Sequence, residues 1–198
     1  MRIIAATKNP GKVREIGEIL SKYEIEVISQ KDAGIDVDVD ETGSTFEENA
    51  LIKARAVSML CDEPVLADDS GLCIDVLSGA PGIYSARYGG DLPYEEKIAK
   101  LLGEMSGKEN RKAKFCCVMA LVFPDGKEII ASGECHGHIT EEPKGTSGFG
   151  FDPVFYSDEL KKGFSECTEE EKNEVSHRGK ALKDLCFKLN EFLRKEDK

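Results

Sequence analysis

Asp68 and Asp69 stand side by side, after the apolar run Val65-Leu66-Ala67 and before Ser70-Gly71-Leu72. Adjacent carboxylates repel, and burying both without a cation is costly. A hard metal ion such as Mg²⁺, which takes oxygen ligands, relieves that cost. The run predicts a strand that ends at the acid pair, followed by a Ser-Gly turn. The end of a strand is where an open α/β sheet places its ligands. Successive strand residues point to opposite faces, so at most one of the two acids aims squarely into any one cleft. Two solvated Asp residues at a turn are the plainer alternative.

Thr7-Lys8-Asn9-Pro10-Gly11-Lys12 offers complementary charge. It joins a predicted strand to a predicted helix, whose first N–H groups attract anions. Lys8 and Lys12 add positive charge, and Gly11 lets a phosphate approach the backbone. The Walker spacing is absent. Asn9 as helix cap with Pro10 at the first helical position explains the same residues. Both readings stay open and are compatible. Thr45 and Glu48 form the pattern of a capping box, and Glu41 lies outside that need. Lys53 shares a helical stripe with Phe46, Ala50 and Val57. A lysine on such a stripe either snorkels or meets an anion.

Ser147 to Pro153 carries Phe149, Gly150, Phe151 and Asp152. Aromatic faces stack on bases, and a carboxylate accepts from base N–H groups. Loop aromatics also commonly just anchor a loop to the core. Lys172, then Ser176-His177-Arg178, precede the last helix. His177 and Arg178 are donors able to reach a ligand carbonyl. Positive charge at a helix start opposes the helix dipole unless an anion is near.

These groups need a scaffold. Strand signals fall at 2–6, 25–28, 65–67, 72–77, 115–123, 128–135 and 153–156, and helical periodicity at 10–22, 45–61, 94–103 and 178–194. Pro124-Asp125-Gly126 marks a hairpin. The order predicts one domain over residues 1–198, an α/β fold around a mixed sheet.

Composition narrows the partners. The 198 residues carry a formal charge of −11, which repels nucleic-acid backbones but leaves room for a small anion in a local basic pocket. No stretch reaches the length of a membrane span. The first residues are too briefly apolar for a signal peptide. Seven cysteines without a Cys-x-x-Cys pair suit a reducing cytoplasm. On a strand, Cys135 faces away from His136 and His138, so too few ligands converge there for zinc.

The motifs Thr7-x-Asn9-x-x-Lys12, Glu41-Thr42-Gly43, Thr45-Phe46-x-Glu48-Asn49-Ala50, Ala67 to Leu72, Pro81 to Arg87, Gly148 to Pro153 and Ser176-His177-Arg178 follow one another in a fixed order. From Ala6 to Leu182 the chain resembles the inosine/xanthosine triphosphate pyrophosphatase family, the Ham1-like non-canonical purine nucleoside triphosphatases. The resemblance implies Mg²⁺-dependent hydrolysis of ITP, dITP and XTP to monophosphate and pyrophosphate. It implies an elongated mixed sheet flanked by helices, two lobes with an active-site cleft between them, and a homodimer. By position, Thr7, Lys8, Asn9, Pro10, Gly11 and Lys12 would cradle the triphosphate with Lys53. Glu41 and Asp69 would hold Mg²⁺, and Asp69 or Asp68 would prepare the attacking water. Ser70, Phe149, Gly150, Phe151, Asp152, Lys172, His177 and Arg178 would line the nucleotide pocket. Donors at His177 and Arg178 would suit a 6-keto purine and reject a 6-amino group, a mismatch of buried donors worth roughly 10⁴ in discrimination. A pyrophosphatase for modified pyrimidine nucleotides of the Maf-like kind, and a nucleotide-binding regulator without turnover, are the competing readings.

Overall fold

The computed structural model describes residues 1–196. Strands β1 (Arg2–Ala5) and β2 (Glu26–Ser29) flank helix α1 (Pro10–Ser21); helix α2 (Phe46–Ser58) leads to strand β3 (Val65–Ile74). Helix α3 (Tyr94–Glu104) precedes β4 (Lys112–Val122) and β5 (Glu128–Ile139). Short strands β6 (Phe155–Ser157) and β7 (Lys162–Gly163) lead to α4 (Glu169–Val175) and α5 (His177–Glu196). The strands form one seven-stranded sheet in the order β2-β1-β3-β4-β5-β6-β7. β1 runs parallel to β2 and β3, while β6 is antiparallel to β5 and β7, so the sheet is mixed as expected. The β4–β5 connection is the expected hairpin, closed by Phe123 N–H donating to the Lys127 carbonyl.

One expectation needs correction. The acid pair does not end a strand: β3 continues through Asp68, Asp69, Ser70 and Gly71 to Ile74. Gly71 permits this, because a Cβ there would lie 2.1 Å from the Gly82 carbonyl oxygen. The backbone of residues 82–85 packs directly onto the strand where a turn was expected, and Ser85 Oγ accepts from Leu72 N–H at 2.9 Å. Helix α4 was not anticipated, although Thr168 and Glu171 form a complete capping box at its start.

The chain divides into two compact units. Among the described residues the first comprises 1–69, 117–133 and 178–196; the second comprises 70–116 and 134–177. The first unit has a core on each face of its sheet. Ile3, Leu66, Met119 and Leu121 pack with Ile16, Ile19 and Leu20 of α1 and with Leu182, Leu185 and Leu189 of α5. On the other face Ile4, Val65, Ala67, Ala120 and Val122 pack with Ala50, Ala54 and Val57 of α2. The alternation of β3 therefore sends residues 66 and 68 toward α1 and α5, and residues 65, 67 and 69 toward α2. The second unit centres on Leu72, Ile74, Leu101, Phe115, Phe155 and Phe164.

Candidate active site

Asp68 is buried on the face of β3 that meets α1 and α5. Lys12 Nζ lies 3.0 Å from its Oδ2, and Arg178 Nη2 donates to the same oxygen at 3.2 Å. Burial alone would favour the neutral acid. Lys12 and Arg178 outweigh it and hold the Asp68 carboxyl far below the usual carboxylate range. Arg178 also donates from Nη1 to Glu15 of α1, another buried carboxylate. Sequence reasoning passed over Glu15. Its signal was its place on the same helical stripe as Lys12, Ile16 and Ile19, where a charge needs a partner. The positive charge at the start of α5 thus has the anions that the helix dipole demands.

Asp69 faces α2. Asn49 Nδ2 donates to its Oδ2 at 3.2 Å, and Lys53 Nζ approaches Oδ1 at 3.3 Å. Lys53 Nζ also donates to Glu41 Oε1 at 2.5 Å and to the Asp68 carbonyl at 2.7 Å. Lys53 therefore meets anions instead of snorkelling. Burial opposes its charge, but Asp69, Asp68 and Glu41 raise its pKa overall. For Asp69 the balance runs the other way. Burial raises its pKa, Lys53 offsets this in part, and the charge of Glu41 pushes it up again. The two neighbouring acids are thus electrostatically opposite, because one strand presents them to two different helices.

Asn49 is a second residue that sequence reasoning did not assign to the site. Its Oδ1 accepts from Gly43 N–H at 2.8 Å, so one side chain ties the loop carrying Glu41 to Asp69. It precedes Lys53 by one helical turn, which places both on one face of α2. The start of α2 also differs in detail from a capping box. Thr45 Oγ1 accepts from Glu48 N–H as expected, but Glu48 reaches back to the N–H and hydroxyl of Ser44.

The loop before α1 is capped as read. Asn9 Oδ1 accepts from Gly11 N–H at 2.9 Å and Lys12 N–H at 3.3 Å, and Thr7 Oγ1 accepts from Asn9 N–H. Pro10 opens the helix. Lys8 is half-exposed and pairs with Asp36 and Asp38 at 3.1 and 2.8 Å.

The remaining predicted residues occupy the second unit. Ser70 is half-buried on β3, directly after Asp69. Asp152 Oδ2 accepts from Phe149 N–H at 2.8 Å and from buried Lys172 Nζ at 2.7 Å. The Lys172 ammonium lies 4.9 Å from the centre of the Phe149 ring. Gly148, at φ 81°, makes room for this: a Cβ there would sit 2.3 Å from Asp152 Oδ2. Phe151 is buried between Tyr88 and Tyr94, each ring 5.9 Å away edge-on, and anchors the loop, with Gly150 beside Tyr94. Phe149 is only half-buried. His177 stacks on Phe115 at 4.7 Å.

The donor chemistry around Glu41 and Asp69 fits Mg²⁺. Two carboxylates already converge on one cation, the Lys53 ammonium, and Mg²⁺ typically takes one or two carboxylates and completes its shell with water and phosphate oxygens. Among the described residues no three His, Cys, Asp or Glu side chains gather into a group that could by itself hold a metal ion.

The Ham1 family profile matches residues 3–188. This chain belongs to the Ham1 family. A dITP/XTP pyrophosphatase of Bacillus anthracis is 46% identical over 197 residues, covering 96% of this chain and 97% of its own length. One from Treponema denticola is 46% identical over 198 residues, covering 98% and 99% respectively. Among solved structures, a HAM1 protein from Coxiella burnetii superposes with a TM-score of 0.87 at 41% identity, over 96% of this chain and 99% of that one. The Staphylococcus aureus Ham1 protein gives 0.84 at 38% identity, over 99% and 100%.

Proposed function

We propose that this Ham1 family chain hydrolyses deaminated purine nucleoside triphosphates, ITP, dITP and XTP, to the monophosphate and pyrophosphate. The observation that carries the reading is the split acid pair. Asp68 is held as an anion between Lys12 and Arg178, while Asp69 faces Glu41, Asn49 and Lys53 on the other side of the strand. Asp69, on the side of Glu41 and Lys53, takes the proton of the attacking water, and Asp68 positions Lys12 and Arg178. Glu41 and Asp69 would hold Mg²⁺, which would neutralise charge on the phosphates.

Lys53 keeps the two metal-binding carboxylates together and, with residues Thr7 to Lys12, meets the triphosphate. Phe149 stacks on the base, with Asp152 and Lys172 fixing its loop. His177 and Arg178 donate to the 6-keto oxygen. A 6-amino group would face donors with donors, and buried mismatches of that kind discriminate strongly. A homodimer and a cytoplasmic setting complete the reading. The family resemblance supports the first and the free thiols the second.

The test is a nucleotide panel with Mg²⁺: ITP, dITP and XTP against ATP, GTP and modified pyrimidine triphosphates. Pyrophosphate and monophosphate should be the first products, with the deaminated purines fastest. Orthophosphate and a diphosphate as first products would overturn the proposal. Preference for modified pyrimidines would favour the Maf-like alternative, and tight binding without turnover a regulator.

A further inference from the structure

In the second unit, strand alternation sorts side chains between two faces. Leu72, Ile74, Phe115 and Cys135 enter the core. The residues between them, Cys73 on β3, Lys114 and Cys116 on β4, and Glu134 on β5, share the opposite face. There Cys116 Sγ donates to Cys73 Sγ at 3.9 Å and lies 3.7 Å from Glu134 Oε1. Lys114 Nζ pairs with Glu134 Oε1 at 2.8 Å. Cys73 is half-buried and Cys116 buried.

We propose that Cys73 and Cys116 form a peroxide-sensitive dithiol that closes reversibly to a disulfide within the second unit. The proposal is independent of the nucleotide chemistry. Its geometry is two sulfurs already in contact on neighbouring strands. Rotation of the two side chains must bring them from 3.9 Å to the bonded distance of about 2.05 Å.

The two thiols are unequal in the sense the reaction needs. The hydrogen bond from Cys116 lowers the Cys73 pKa; burial opposes this and the Lys114 charge assists it. The same bond, and then burial, push the Cys116 thiol far up. Cys73 is also the more exposed of the two sulfurs, so it is the one that meets peroxide, and its thiolate is the nucleophile. Its thiolate displaces hydroxide from hydrogen peroxide and becomes a sulfenic acid. Cys116 then attacks that sulfur. The S–S bond forms, the sulfenic hydroxyl leaves, and the Cys116 proton joins it as water. In sum, two thiols and one peroxide give one disulfide and two waters. A dithiol reductant reverses the step by exchange. Burial raises the thiols of Cys117, Cys167 and Cys186, which makes them slower rivals for peroxide.

The full-length protein is reduced, freed of reductant, and treated with one equivalent of hydrogen peroxide. Remaining thiols are then blocked with N-ethylmaleimide before tryptic mapping. The Cys73–Cys116 link should be the first product, with fragmentation separating Cys116 from adjacent Cys117. Free thiols should fall by two from seven and return with dithiothreitol. In Cys116→Ser, Cys73 should stop as a sulfenic acid captured by dimedone; in Cys73→Ser, Cys116 should stay reduced. A first link involving any other cysteine, an intermolecular disulfide, or unchanged thiols in the wild-type protein would each overturn the proposal. The wild-type map decides even if a variant fails to fold.

Discussion

Removing the Arg178 guanidinium while keeping its packing, in Arg178→Met, is the most informative single perturbation of the first unit. The guanidinium is fully buried and serves Glu15 and Asp68, whose side chains are themselves only 6% and 0% exposed. Taking one partner from a buried ionic group typically costs about 3–5 kcal/mol, because the remaining charge has no water to turn to. For a chain of this size, 1 kcal/mol shifts the melting midpoint by about 2–4 °C, so the loss is about 6–20 °C at pH 7. The effect should depend on pH with a definite sign. Arg178 helps to depress the folded pKa of Asp68. The stabilisation from such a group is complete above the unfolded value, near 4, and is lost as pH falls through the folded value. The gap between wild type and variant should therefore be full at pH 7 and narrow below about pH 4. Urea melts at both pH values measure it. A variant within about 0.5 kcal/mol of wild type at pH 7, or a gap that widens on acidification, would refute the argument. The same variant separates two roles for Arg178 in catalysis. If it reads the base, the kcat/KM ratio of ITP to ATP should fall. If it only positions Asp68, both substrates should lose equally.

Asp69→Asn and Glu41→Gln should each lower turnover by at least about 100-fold with an unchanged far-ultraviolet spectrum, the scale on which a general base contributes. Full activity of Asp69→Asn, or in EDTA, would contradict the Mg²⁺ and proton-acceptor roles. Phe149→Ala should weaken all purine triphosphates alike by about 1–3 kcal/mol of lost stacking, read as parallel changes in KM. Gly71→Ala should destabilise by about 1–3 kcal/mol in denaturant melts, because its methyl group meets the backbone of Gly82.

Periodicity carried most of the architecture. The stripe Val13, Ile16, Ile19 and Leu20 gave α1, and the hairpin chemistry of Pro124-Asp125-Gly126 gave the β4–β5 connection. Motif order gave the family. What the sequence hid is tertiary in origin. Ser70-Gly71 has turn chemistry, yet packing of the 82–85 backbone against Gly71 keeps β3 extended. Glu15 and Asn49 acquire their roles only against Arg178 and Asp69, which are distant in sequence. Phe149 and Phe151 read alike as loop aromatics. Only the positions of Tyr88 and Tyr94 assign one to the core and leave the other half-open.

The continuity of β3 also makes the strand an index. Its pairing with β1, Ile4 opposite Val65 and Ala5 opposite Leu66, sets which acid looks toward which helix. Side chains alternate with a period of two, so sliding β3 by one residue would carry Asp69 into the place of Asp68, between two buried cations, and leave Ser70 beside Glu41. Every residue type would be retained, yet the proton acceptor would become a fixed anion. Substitutions in residues 65–67 that keep their volume should thus be tolerated better than any single deletion there. For this chain the count of residues before Asp68 matters as much as their identity.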